Sequence, residues 1–237
     1  MEPLTLKLLP TNSHWYPSPK NPDVYYPSVT FVTGYLPKGQ FFERYLADQG
    51  SYEESKRVLQ EAADRGTRCH RDSEYLDKGG IIYYGGASDL YDEEYQLLSY
   101  YVDWHKKFTP EIIHVELVLI SDKHKLGGTA DRIYRINGQL TLLDLKTSRT
   151  AIYDSHWIQV AAYADMYEWL YKEKIENVAI LRLTDRRKEG YEYVIRDRSE
   201  WQKDLKQFKK TYDTMLYLQG DKKLEPKIIS VPSELKL

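Results

Sequence analysis

At 237 residues the chain is long enough for one well-buried core with an extension, and 41% hydrophobic with 30% charged residues describes an ordinary globular protein. A net charge of −2, from 34 Lys+Arg against 36 Asp+Glu, excludes a nucleic-acid binder announced by bulk electrostatics, so such a role would rest on local clusters. The single cysteine, Cys69, excludes an internal disulfide and a four-cysteine zinc or iron-sulfur site within the chain, and points to a reducing cytoplasm.

The opening "MEPLTLKLLPTNSHWYPSPK" lacks the regions of a signal peptide, no stretch approaches a membrane span, and no repeat or long linker divides the chain. A single domain, 1–237, is expected. Its N-terminal part, 1–50, is rich in Pro and Tyr up to about Gly39 and reads as an extended arm. Residues 51–110 should be helical. Ser51 with Glu54 forms a capping box that starts a helix ending near Gly66. Thr67 can cap a second short helix on which His70 and Glu74 share a face, and a further helix covers Tyr91 to Phe108, stopped before Pro110.

The period then changes. "EIIHVELVLIS" is apolar and β-branched with His114 and Glu116 on one parity, as in a strand. "IYRINGQLTL" predicts a hairpin, because Asn137-Gly138 suits the two positive φ values of a type I′ turn. A helix from Ser155 to about Lys174 follows, then strands near Val178–Leu183 and Tyr191–Ile195, and an amphipathic helix with Trp201, Leu205, Phe208, Tyr212 and Met215 on its apolar stripe. A mixed α/β core, 111–219, is expected: a three-stranded meander and two further strands flanked by helices, with 220–237 as a tail. Two basic clusters, "RLTDRRKEG" (Arg182 to Gly190) and "KDLKQFKK" (Lys203 to Lys210), read first as solvated faces.

A turn at Asn137-Gly138 sets Asp131 directly opposite Asp144, on the same side of the sheet. Two carboxylates there repel unless a cation lies between them. A loop centred on Lys123-His124 would bring Glu116 into the same row, unless Gly127-Gly128 introduces a bulge and shifts that register by one. Lys146, two residues after Asp144, shares its face, while Leu143 and Leu145 point to the core. Oxygen ligands with open positions suit Mg²⁺ or Mn²⁺, and such an ion beside a lysine suits phosphodiester hydrolysis. An acid-x-Lys triplet also occurs at Glu54, Asp204, Asp221, Glu225 and Glu234, but only Asp144/Lys146 lies on an apolar strand behind a hairpin that delivers a second acid.

In chain order, "RGTRCH", "GGTADRI", "LLDLKTS" and "QVAAY" resemble the Gly-Thr-x-x-His helix, Gly-x-x-Asp strand, Asp-x-Lys strand and Gln-x-x-x-Tyr helix of the PD-(D/E)XK nuclease superfamily. Within it they are most similar to the RecB-like branch of phage-type and mitochondrial genome maintenance exonucleases, and "YPSVTFV" resembles a segment of phage members. The resemblance implies a restriction-endonuclease-like core and a site in which His70, Asp131, Asp144 and the Leu145 carbonyl hold Mg²⁺ or Mn²⁺. Glu116 would be a further acid, and Lys146 would act on the attacking water. Gln159 and Tyr163 would border the site, and Ser28, Thr30, Thr147 and Ser148, with that helix face, would meet DNA.

The cysteine count leaves no place for the iron-sulfur cluster of some relatives, and no G-x-x-x-x-G-K-[ST] loop is present, so a motor would have to be another chain. What the resemblance implies is a DNA exonuclease in phage or bacterial recombination, repair or processing. A structure- or sequence-specific endonuclease on the same site and an inactive DNA-end-binding protein are the alternatives.

Overall fold

The computed structural model describes residues 6–10, 15–37, 44, 48, 50–85, 91–220, 226 and 228–232. Its centre is a five-stranded sheet in the order β4-β5-β6-β7-β8, built from β4 (Glu111–Ser121), β5 (Leu126–Ile136), β6 (Gln139–Lys146), β7 (Asn177–Leu183) and β8 (Tyr191–Asp197). Neighbours run antiparallel except β6 and β7, which are parallel and joined through the helix α4 (Asp154–Tyr171). The expected meander with two added strands is therefore present.

Helices cover both faces. On one side α4 and α5 (Arg198–Gln219), with the short α1 (Val29–Thr33), bury Trp157, Tyr167, Trp201 and Phe208 against Leu140, Leu142, Val178 and Ile180. On the other, α2 (Tyr52–Asp77) and α3 (Asp92–Phe108) bury Cys69, Leu97, Tyr101 and Trp104 against Leu143, Leu145, Ala179 and Leu181. The alternation along β6 and β7 explains why both faces are apolar: each strand serves two cores, and each fully buried leucine contributes about 1.5–3 kcal/mol. Burial, then the nearby Glu94, pushes the Cys69 thiol up to about 12, so it packs as a small hydrophobe.

Several boundaries differ from the sequence reading. Residues 52–77 form one continuous helix, not two; Thr67 does not cap a new helix but donates back to the Ala63 carbonyl at 3.0 Å, the option open to a threonine inside a helix. The N-terminal arm contains a small antiparallel pair, β2 (Trp15–Pro17) with β3 (Tyr25–Pro27), before α1. The residues expected as a tail include β9 (Ile228–Pro232), which pairs with β1 (Leu6–Pro10), a long-range contact that leaves no local pattern. Helix α4 stops at Tyr171, where Lys172 takes a left-handed conformation, and β8 runs on to Asp197, which caps α5 through the Glu200 amide.

The hairpin between β5 and β6 forms as expected, with Asn137 at φ 50° and Gly138 at φ 78°, and its register runs from Ile136↔Gln139 to Arg132↔Leu143. The register of β4 on β5 also follows the loop-centred expectation from His114↔Ile133 to Ser121↔Leu126; its irregularity lies between Ile112 and His114, not at Gly127-Gly128.

Those two glycines do something else. A Cβ on Gly127 would fall 2.3 Å from the Tyr16 ring, and one on Gly128 would fall 2.5 Å from the Tyr163 ring. The strand stays bare there so that β2 and α4 can lay aromatic rings directly on its backbone.

Candidate metal and phosphoryl-transfer site

The site begins with a break in strand alternation. Leu117 and Ala130 pair across β4 and β5 and pack toward α4, as does Ile133, although undisturbed alternation puts positions 130 and 133 on opposite faces. The paired ladder skips Glu116 and Asp131, and Glu116 has φ 49°. Across this gap His114 lies against the Tyr167 and Tyr171 rings of α4, while Glu116, of the same parity, reaches the α2 side.

There the two acids meet His70 of α2. Its Nδ1 lies 3.7 Å from Glu116 Oε1 and 3.6 Å from Asp131 Oδ2, and its Nε2 lies 2.9 Å from the Leu145 carbonyl. One ligand atom from each of His70, Glu116 and Asp131 falls within 4.8 Å of the others. Asp131 also accepts the Leu145 amide at 2.8 Å, so Asp131 and Asp144 are not a plain cross-strand pair; the ladder ends one residue short, at Arg132↔Leu143. Burial pulls His70 down, but Asp131 and Glu116 outweigh it and leave the imidazole above its ordinary value.

Asp144 and Lys146 stand beside this cluster on the α4 side of β6. Asp144 is 2% exposed, and Lys146 Nζ lies 2.7 Å from its Oδ2. Beyond that ion contact the oxygen has no hydrogen-bond partner. Burial pushes the Asp144 carboxyl up, against the pull of Lys146 and with Asp131 adding to it, while Lys146 is desolvated yet held above its usual range by Asp144 and Asp131. A histidine nitrogen and two carboxylates within 4.8 Å of one another, beside a buried carboxylate whose one close partner is a lysine, fit a hard divalent cation.

The helix α4 closes the site. Tyr163 is 3% exposed, in hydrogen-bonding contact with Gln159, and raised first by burial and then by Asp131 and Asp144, so its hydroxyl stays protonated. Ser28 forms a bridge with Gly127 of β5; it is buried, its Oγ caps α1 through the Phe31 amide at 2.9 Å and lies 2.8 Å from Thr30 Oγ1. Only Thr30 of that pair is exposed. Thr147 is buried and Ser148 half-buried.

Four supporting residues escape a reading of the sequence. Arg132, fully buried, donates to Asp77, to Glu116 at 2.9 Å, to Ser73 Oγ at 2.7 Å and to the Asp131 carbonyl at 2.8 Å, tying α2 to the acids. Arg65 and Arg182, from opposite helix and strand layers, donate to the consecutive carbonyls of Thr147 and Ser148, each at 3.1 Å, and so hold the chain as it leaves Lys146. His156 lies near enough to Lys146 that burial, then that ammonium, lowers it to about 3. The one available signal was an arginine next to Asp131 on an otherwise apolar strand, at the parity of the core.

A sheet sandwiched by helices, carrying a carboxylate-histidine cluster and a lysine, is an arrangement suited to metal-assisted chemistry on a phosphoryl group. The chain matches the PD-(D/E)XK nuclease superfamily over residues 39–226 and belongs to it, a family of nucleases that use divalent metals. A search of curated proteins finds no match. Among solved structures, the chain is similar to a candidate exonuclease of Eubacterium rectale (12% identity, 73% of this chain and 72% of the other, TM-score 0.46). It is also similar to an alkaline exonuclease of Laribacter hongkongensis (12% identity, 81% and 90%, TM-score 0.38). Among the described residues no helix is long and apolar enough to cross a membrane.

Proposed function

We propose that this protein is a divalent-metal-dependent deoxyribonuclease that degrades DNA from its ends and accepts single strands, an activity suited to recombination, repair or processing. The observation that carries the reading is the cluster of His70, Glu116 and Asp131 beside the buried Asp144–Lys146 pair.

His70, Asp131, Glu116, Asp144 and the Leu145 carbonyl are the residues that would hold Mg²⁺ or Mn²⁺. When bound, such an ion polarises a phosphoryl oxygen and lowers the pKa of water. Lys146 presents an ammonium at the same point, where it can orient the attacking water and offset charge that develops on the phosphoryl group. Asp144 keeps that ammonium in place through the 2.7 Å contact. Tyr163, protonated and in contact with Gln159, serves as an orienting hydroxyl rather than a base. Arg132 keeps Glu116 turned toward the cluster.

The test uses end-labelled linear single-stranded DNA and the matching closed circle, in Mg²⁺, Mn²⁺ and EDTA, with wild type and Lys146→Ala. Metal-dependent shortening of the linear strand alone, lost in the variant, is the expected result. Cutting of the circle would make the protein an endonuclease on the same site, and binding without any cutting would make it an end-binding protein.

A further inference from the structure

Of the cluster "RLTDRRKEG" only Arg182 supports the site described above, yet the cluster borders a recess of about 350 Å³ that opens next to that site. Arg182 on β7 is the register partner of Lys146 on β6, so the recess begins one strand away, at a spacing of ~4.8 Å. Its wall carries Arg182, Arg187 and Arg196 against two carboxylates, Glu192 and Asp154.

These guanidiniums differ in what they can release. Arg182 is 4% exposed and donates to Glu192 Oε2 at 2.7 Å and to the Ser148 carbonyl at 3.1 Å. Arg187 donates to the other oxygen of the same carboxylate at 2.7 Å, and its side chain is 53% exposed. One glutamate therefore serves two guanidiniums. Arg196 lies 4.2 Å over the Trp157 ring and is held by both oxygens of Asp204 at 2.6 and 2.7 Å, which makes it a fixed wall. Ile152 and Val194 add apolar surface, and Ala151 stands at the exposed rim.

We propose that this recess binds the nucleotide that flanks the scissile phosphate, in an unpaired nucleic-acid strand, with Arg187 and Arg182 as the phosphate anchor. Guanidinium forks match phosphate oxygens, and a phosphate can replace the shared glutamate for the exposed Arg187 while Arg182 keeps its place. The apolar wall takes the sugar or base edge. A recess of this volume lies at the low end of small-molecule pockets and suits one nucleotide. The inference rests on the nuclease reading and specifies how a strand would lie across it.

The test is fluorescence anisotropy of the full chain with a labelled single-stranded oligonucleotide in EDTA, where turnover is absent, over a range of salt. Arg187→Ala is expected to weaken binding roughly 3–10-fold and to lower the salt slope by about 0.7, one phosphate contact of a single strand. Ala151→Trp, which fills the recess without removing charge, should weaken binding similarly. Glu192→Gln, which releases both guanidiniums, should tighten it. With Mn²⁺, Arg187→Ala should lose more rate on the oligonucleotide than on the p-nitrophenyl ester of thymidine 5′-phosphate, which has no second phosphate for the anchor to hold. Wild-type affinity and salt slope in both Arg187→Ala and Ala151→Trp would overturn the assignment while leaving the nuclease reading intact. A wild-type chain that neither binds nor cuts DNA would remove both.

Discussion

Replacing Arg132 by Met tests whether the buried guanidinium holds the helix that bears His70 onto the strand that bears Asp131. Asp77 has a fully buried side chain and accepts from Arg132, from Tyr101 at 2.6 Å and from Tyr134 at 3.1 Å. Removing the counterion of a buried carboxylate costs about 3–5 kcal/mol. The two hydroxyls stay protonated, since burial raises both phenols, and they return part of that cost. Glu116, with its side chain 27% exposed, can turn to water and adds little. The expected loss is therefore about 3 kcal/mol, a large share of a typical 5–15 kcal/mol stability, with Tm lower by about 6–12 °C. Urea unfolding measures it. The double variant Asp77→Asn/Arg132→Met should recover at least about 1 kcal/mol, because the unpaired charge is gone. A single-variant loss below about 1 kcal/mol, or a double variant no more stable than the single, would refute the account.

Lys146→Ala should lower DNA cleavage by at least about 10²-fold while Mn²⁺ binding, read by calorimetry, persists, because the ammonium serves the reaction and the acids serve the ion. Asp131→Asn should weaken Mn²⁺ binding by about 10-fold or more in the same titration, with the fold retained by circular dichroism, since an amide oxygen can still accept the Leu145 amide. Burial pulls the Glu192 carboxyl up, but hydrogen bonds from Arg182 and Arg187 together outweigh it and hold the group below its ordinary range. A depressed carboxyl stabilises the fold above its unfolded value and loses that contribution as pH falls through the folded one. Glu192→Gln should thus be less stable by on the order of 1–2 kcal/mol at pH 7, with the gap closing as pH falls below the ordinary carboxylate range in chemical unfolding. Gly128→Ala, which drives a Cβ to 2.5 Å from the Tyr163 ring, should cost about 1–3 kcal/mol, and far less when Tyr163→Leu is already present.

Much of the fold was legible because its signals are local. Asn137-Gly138 specified a turn, the turn specified the register of β5 on β6, and the spacing of Asp144 and Lys146 specified their shared face. The joining of His70 to that sheet was legible only through resemblance, since a histidine on a helix has no local reason to meet an aspartate far along the chain. The supporting arginines were not legible at all. Arg132 reads as an ordinary strand charge until Asp77, Tyr101 and Tyr134 surround it, and Arg65 and Arg182 acquire a role only when the Thr147–Ser148 segment passes between them.

The sequence by itself determined the strands of the central sheet, the hairpin register and the candidate acids, because turn chemistry and side-chain period act over a few residues. Tertiary structure alone decided where those acids point. In place of the expected row of three opposed carboxylates the ladder has a local gap, with Glu116 in a left-handed conformation and Asp131 bonded to the Leu145 amide, and no period-two pattern encodes such a break. Tertiary structure also decided that 52–77 is one helix and that the two ends of the described chain pair as β1 and β9. Contacts between distant segments override local propensity wherever burial rewards them more than a cap or a turn would.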